Sequence, residues 1–199
     1  MKKETTISLL KEIRDILRSQ TGYMLNNQPL TGENNVNPIS APIKKTESIF
    51  TPVTTIKVKG AKGFCLKGQL KYFNIGWIGE NFKKNFLDKE ETDIPDATLS
   101  IQKLVRDSFD KDILAELGDK AETKLVYVFN LIKNQLNGNA GPLLTNGNSN
   151  VFYIRNKNNE LWVVRVYWYS SDGCWNASAY PLEDPYEWDA GYQVVSCDS

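Results

Sequence analysis

Leu161-Trp162-Val163-Val164-Arg165-Val166-Tyr167-Trp168-Tyr169 is the stretch on which the fold turns. It is rich in β-branched and aromatic residues and is uninterrupted by glycine or proline, so it reads as a strand. One side of the implied strand carries Trp162, Val164, Val166 and Trp168, which is the better core face. The other carries Leu161, Val163, Arg165, Tyr167 and Tyr169.

Working outward, residues 151–155 form a second strand, joined to the first through 156–160 with its Asn158-Asn159 pair, a hairpin connection. Asp172-Gly173 turns the chain into a third strand at 175–180. After an acidic loop at 181–189, residues 192–196 close the series. The last third of the chain thus reads as an antiparallel β-meander of about four strands.

Upstream, Leu125, Val128, Phe129, Ile132 and Leu136 lie on one helical stripe, so a core helix is expected at about 119–136, with Asp119 as cap and Gly138 as stop. Residues 98–117 fit both a helix and one strand face, and helix is the favoured reading. A short helix follows Gly79 on Phe82, Phe86 and Leu87, while 53–58 and 71–78 favour strand. The fold class expected is α+β, a single domain over 53–199 with the meander packed on the core helix.

Two further segments precede that domain. Leu9, Leu10, Ile13, Ile16 and Leu17 make residues 1–20 an amphipathic helix, and the Asn-, Pro- and Thr-rich stretch 21–52 reads as a linker or long loop. No run approaches about 18 apolar residues and the start lacks an apolar signal core, so no membrane association and a cytoplasmic location are expected.

The 24 basic and 24 acidic residues cancel, which leaves no global field for nucleic acid or an anionic surface. Histidine is absent, and with it the commonest general base and transition-metal ligand. Cys65, Cys174 and Cys197 are too few and too widely spaced for a disulfide framework or a zinc site. Gly138, Gly141 and Gly147 follow a helix rather than a strand, the wrong order for a phosphate loop. The acidic clusters at 88–96 and 183–189 match no calcium-loop spacing and read as solvated loops. No catalytic residue, metal site or cofactor is assigned, and the chain leans away from enzymes.

The remaining functional material is the second face of the meander. Tyr153, Arg155, Arg165, Tyr167, Tyr169 and Tyr180 form the candidate binding set, because aromatic rings interleaved with arginine make stacking platforms. The reading favoured is a non-catalytic protein that recognises a protein partner through this face, the N-terminal helix, or both. Single-stranded nucleic-acid or carbohydrate binding on the same face is the alternative, and a carboxylate hydrolase the third reading.

Overall fold

A computed structural model describes residues 47–182 and 186–198. The expected N-terminal helix and most of the linker lie outside the described residues. What is described is a mixed α/β fold, mostly β, built on one large sheet.

That sheet has eight strands, mixed parallel and antiparallel. Its main path runs β1 (Phe50–Val58), β5 (Ala97–Leu104), β12 (Gln193–Cys197), β8 (Asn150–Arg155), β9 (Leu161–Tyr169), β10 (Cys174–Pro181) and β3 (Ile75–Ile78). The short β7 (Glu122–Thr123) pairs with β8 beyond the end of β12. Strands β8, β9 and β10 form the antiparallel meander that the sequence implies.

The closing strand departs from that pattern. β12 does not continue the meander beyond β10 but inserts between β8 and β5, parallel to the first and antiparallel to the second. At the other end β3 lies parallel to β10. The meander is therefore flanked by a parallel neighbour on each side, β12 beside β8 and β3 beside β10, so the sheet is mixed where an antiparallel one was expected. The 53–58 strand also starts earlier, at Phe50, inside the expected linker.

Residues 98–117, expected as helix, divide instead. Leu99 and Ile101 face one side and Leu104 the other, so two-residue periodicity builds β5 up to Leu104. The chain then forms β6 (Ser108–Phe109) and α2 (Asp110–Leu117). The 71–78 segment likewise splits into a 3-10 turn over Leu70–Phe73 and β3, with Asn74 in the left-handed region at φ 50° between them.

The core helix is α3 (Leu125–Lys133), shorter than expected at both ends. Upstream, a 3-10 turn and β7 take the residues that would have extended it, because β7 completes the ladder of β8. Seven of its nine residues are buried, so it is apolar on all sides rather than along one stripe. The reason is that both its sides are covered. The sheet's inner face, with Phe152, Val164, Val166 and Val195, lies against one side.

On the other side sit the two-stranded antiparallel ladder of β2 (Ala61–Phe64) with β4 (Glu91–Ile94) and the 3-10 turn. Phe129 of α3 anchors this layer, meeting Phe73 edge-on at 4.9 Å and Phe64 at 6.0 Å between centroids. The helix α1 (Glu80–Phe86) adds Phe82 and Phe86 to the same core.

The outer sheet face is covered over only part of its width. A second core of Phe50, Leu104, Ile113, Val151, Tyr153, Val163, Trp188 and Val194 fills the space under α2 and the small ladder of β6 with β11 (Glu187–Trp188). Toward β10 and β3 no described element continues this cover.

Candidate binding face on the outer sheet

Register decides which side chains meet here. Tyr167 of β9 stands opposite Asn176 of β10, and Asn176 stands opposite Trp77 of β3, giving a row across three strands. Arg165 opposite Ser178 flanks this row on one side and Tyr169 opposite Cys174 on the other. On the middle strand Cys174, Asn176 and Ser178 are small and buried, while Trp77 and Tyr169 on the flanks are 52% and 43% exposed. The result is a shallow trough, its floor on β10 and its aromatic walls two strand spacings, about 10 Å, apart.

The floor is polar and internally connected. Asn176 Nδ2 donates to the Tyr167 hydroxyl at 3.2 Å, and the Ser178 hydroxyl donates to that of Tyr180 at 3.3 Å. Arg165 is fixed twice: Nε donates to Ser149 Oγ at 2.5 Å, and the guanidinium carbon lies 4.5 Å from the Tyr167 ring centre. This holds the half-buried Tyr167 ring in place.

Glycine permits the close approach of β3. At Gly76 an added Cβ would lie 2.3 Å from Cys174 Sγ, and at Gly79 it would lie 3.2 Å from the far edge of the Trp77 indole. The indole therefore leans over Gly79 and stays half exposed.

Not every residue of the sequence-derived set belongs to this trough. Arg165, Tyr167 and Tyr169 do. Tyr180 borders it, half-buried, stacked on Tyr186 at 5.3 Å and edge-on to Trp188 at 5.9 Å. Tyr153 is fully buried and cannot offer its ring to a ligand. Its hydroxyl donates to Asp110 Oδ1 at 2.6 Å, which also accepts from Trp188 Nε1 at 2.7 Å. Burial, reinforced by the Asp110 carboxylate, holds that phenol well above its ordinary titration range.

Arg155 lies away from the trough, at the far end of β8. Its Nε donates to Glu122 at 2.8 Å and its Nη1 to the Asn159 carbonyl at 2.8 Å. Burial raises the Glu122 carboxyl, but Lys124 and Arg155 together outweigh it and hold the group below its ordinary range. Trp77 is the wall residue that sequence reading missed, since nothing local tells that β3 pairs with β10.

The other motifs have structural employment. Within 88–96, Asp88 pairs with Lys157, Asp93 with Lys62 and Asp96 with Lys59. Glu91 turns inward and caps α3. In the glycine-rich loop Gln135 holds the chain by donating to Asn139 and Leu143 carbonyls and accepting from Leu143 N. All three cysteines are free, with Cys174 buried and Cys65 and Cys197 half-buried.

Among the described residues no group of three or more acidic or cysteine side chains is placed to hold a metal ion. Nor is any described helix long and apolar enough to cross a membrane. Comparison with protein-family models, with curated proteins and with solved structures finds no match to this chain.

Proposed function

We propose that this is a non-catalytic binding protein that recognises a protein partner on the β9–β10–β3 face. The observation that carries the reading is the placement of Trp77 and Tyr169, both about half exposed, on the two sides of a polar floor that no described element covers. Trp, Tyr and Arg are the residue types that dominate binding energy at protein interfaces, where a few rigid side chains act as anchors. Here Trp77, Tyr167 and Tyr169 are the anchors and Arg165 the polar contact.

Charge separates this reading from nucleic-acid binding. A single-strand groove neutralises several phosphates with Lys and Arg, whereas the trough contributes Arg165 alone, already engaged by Ser149 and Tyr167. The hydrolase reading needs paired carboxylates of which one is held above its ordinary range to act as the acid, whereas Asp88, Asp96 and Glu122 are all held below theirs, each by a neighbouring Lys or Arg. A neutral trough with amide and hydroxyl groups between aromatic walls also suits a sugar chain, so glycans enter the test as the competing ligand.

The test immobilises the full chain alongside its Trp77→Ala and Tyr169→Ala variants, identifies proteins retained from source extract, and measures the affinity of the purified partner. A glycan array is probed in parallel. Loss of a hot-spot anchor costs about 2 kcal/mol or more, roughly 30-fold in affinity. A partner held equally by wild type and both variants would overturn the assignment, and selective glycan binding lost in both would replace the partner with a sugar.

A further inference from the structure

We propose that β1 is a self-association edge, through which two copies of this chain join their sheets by antiparallel pairing of residues 54–58 about a twofold axis at Ile56. This is independent of the binding face, which lies at the opposite end of the sheet.

No described strand pairs with the outer edge of β1, which is the longer of the sheet's two end strands, nine residues against four in β3. Its sequence, Phe50-Thr51-Pro52-Val53-Thr54-Thr55-Ile56-Lys57-Val58, carries a single charge and is dominated by β-branched residues. An unpaired row of backbone donors and acceptors with such side chains is a template for another strand, and natural sheets block such edges with proline, bulges or charge. In β1 the blocks are unevenly placed. Pro52 and the register break between Pro52 and Thr54 occupy the first half, and the second half has Lys57 alone.

Those same features select the partner and the register. A symmetric pairing centred on Thr55 would bring the bulge and Pro52 into the new ladder. One centred on Lys57 would place two lysines directly opposite each other, which is destabilising. Centred on Ile56, the pairing sets Ile56 against its own copy, Thr54 against Val58, and Thr55 against Lys57.

Ile56 stands opposite Leu99 in the β1–β5 ladder, so its half-buried side chain lies on the α3 face of the sheet, and the new contact extends that apolar layer. Thr55 and Lys57 share the other face, where neither lysine meets a like charge. Because the proline and the bulge end the ladder, the pairing closes on two copies and does not propagate through this edge.

The experiment is sedimentation velocity on the full chain under reducing conditions over a wide dilution series. A reversible shift from 22.6 kDa toward twice that mass is expected as concentration rises. Position 55 is exposed, so charge can be placed there without disturbing the core. Thr55→Glu faces Lys57 of the second copy twice across the axis and tightens the dimer, and Thr55→Lys loosens it, each by roughly threefold to tenfold.

Combining Thr55→Lys with Lys57→Glu restores the opposite-charge pairs and the dimer, with circular dichroism confirming the fold throughout. A monomer at every concentration overturns the proposal. So does a dimer indifferent to the charge at position 55, since its interface then lies elsewhere.

Discussion

Replacing Glu91 with alanine tests how the β2–β4 ladder is fastened to the core helix. The Glu91 carboxylate accepts hydrogen bonds from the first two amides of α3, Leu125 N and Val126 N, both at 2.9 Å, and is paired with Lys89. It is a helix cap delivered from a strand far away in sequence. Both side chains are sheltered, with 11% of Lys89 and 3% of Glu91 exposed.

Loss of a cap costs about 0.5–2 kcal/mol. Leaving an ammonium group buried without its carboxylate raises the total for Glu91→Ala to about 3–5 kcal/mol. Lys89→Ala is milder, about 1–2 kcal/mol, because the carboxylate keeps both amides and the favourable end of the helix dipole. The double variant Lys89→Met with Glu91→Ala removes the orphaned charge and is therefore less destabilised than Glu91→Ala alone.

Urea unfolding followed by circular dichroism measures all three, with unchanged slopes checking that one transition is compared. Equal costs for the two single variants, or a cost below about 1 kcal/mol for Glu91→Ala, would refute this account of the fastening.

Two further outcomes follow from local geometry. Gly138 has φ 68°, and an added Cβ would lie 2.3 Å from the Trp168 indole, whereas Gly147 at φ 92° has nothing within 4 Å. Gly138→Ala should cost about 2–5 kcal/mol in thermal or urea unfolding, and Gly147→Ala only the backbone part, about 1–2 kcal/mol; equal losses would count against a packing role for Gly138. Tyr153→Phe removes the hydrogen bond to buried Asp110 and should cost about 1–3 kcal/mol at neutral pH. Because the folded state holds this phenol neutral, its stabilisation is complete below the unfolded pKa of about 10 and is lost as pH rises above it. Stability measured from pH 8 to 11 should therefore fall less steeply in Tyr153→Phe than in wild type, and parallel curves would contradict the assignment.

How far the fold was legible depends on whether its causes are local. The β9 strand matches its sequence-derived bounds, and β8 and β10 match theirs to within a residue, because alternation and the Asn158-Asn159 and Asp172-Gly173 turns are local signals. Residues 98–117 failed because Ile101, Leu104, Val105 and Phe109 suit a helical stripe while Leu99, Ile101 and Val105 also fit one strand face. The choice is made by β1 and β12, which pair with β5 on its two sides. The core helix was recognised by its apolar residues, but its ends were not, since its N-terminal cap is Glu91 from another element. Where β12 inserts cannot be read from 192–196, whose alternation is equally good beside β10 or between β5 and β8.

The candidate site divides along the same line. Tyr153, Arg155, Arg165 and Tyr167 all lie on one sheet face by alternation, and alternation treats them alike. What distinguishes them is the cover that arrives from elsewhere: Asp110 at the start of α2 and Trp188 of β11 close over Tyr153, and Glu122 of β7 takes Arg155. Beyond that cover no described element closes over the same face, and β3 brings in Trp77 as its second wall. A strand pattern thus specifies which residues share a face, while long-range packing specifies which part of that face a ligand can reach. The open part is the one where a small, polar middle strand separates larger aromatic neighbours, and that contrast in size is the feature to seek across the rows of any such sheet.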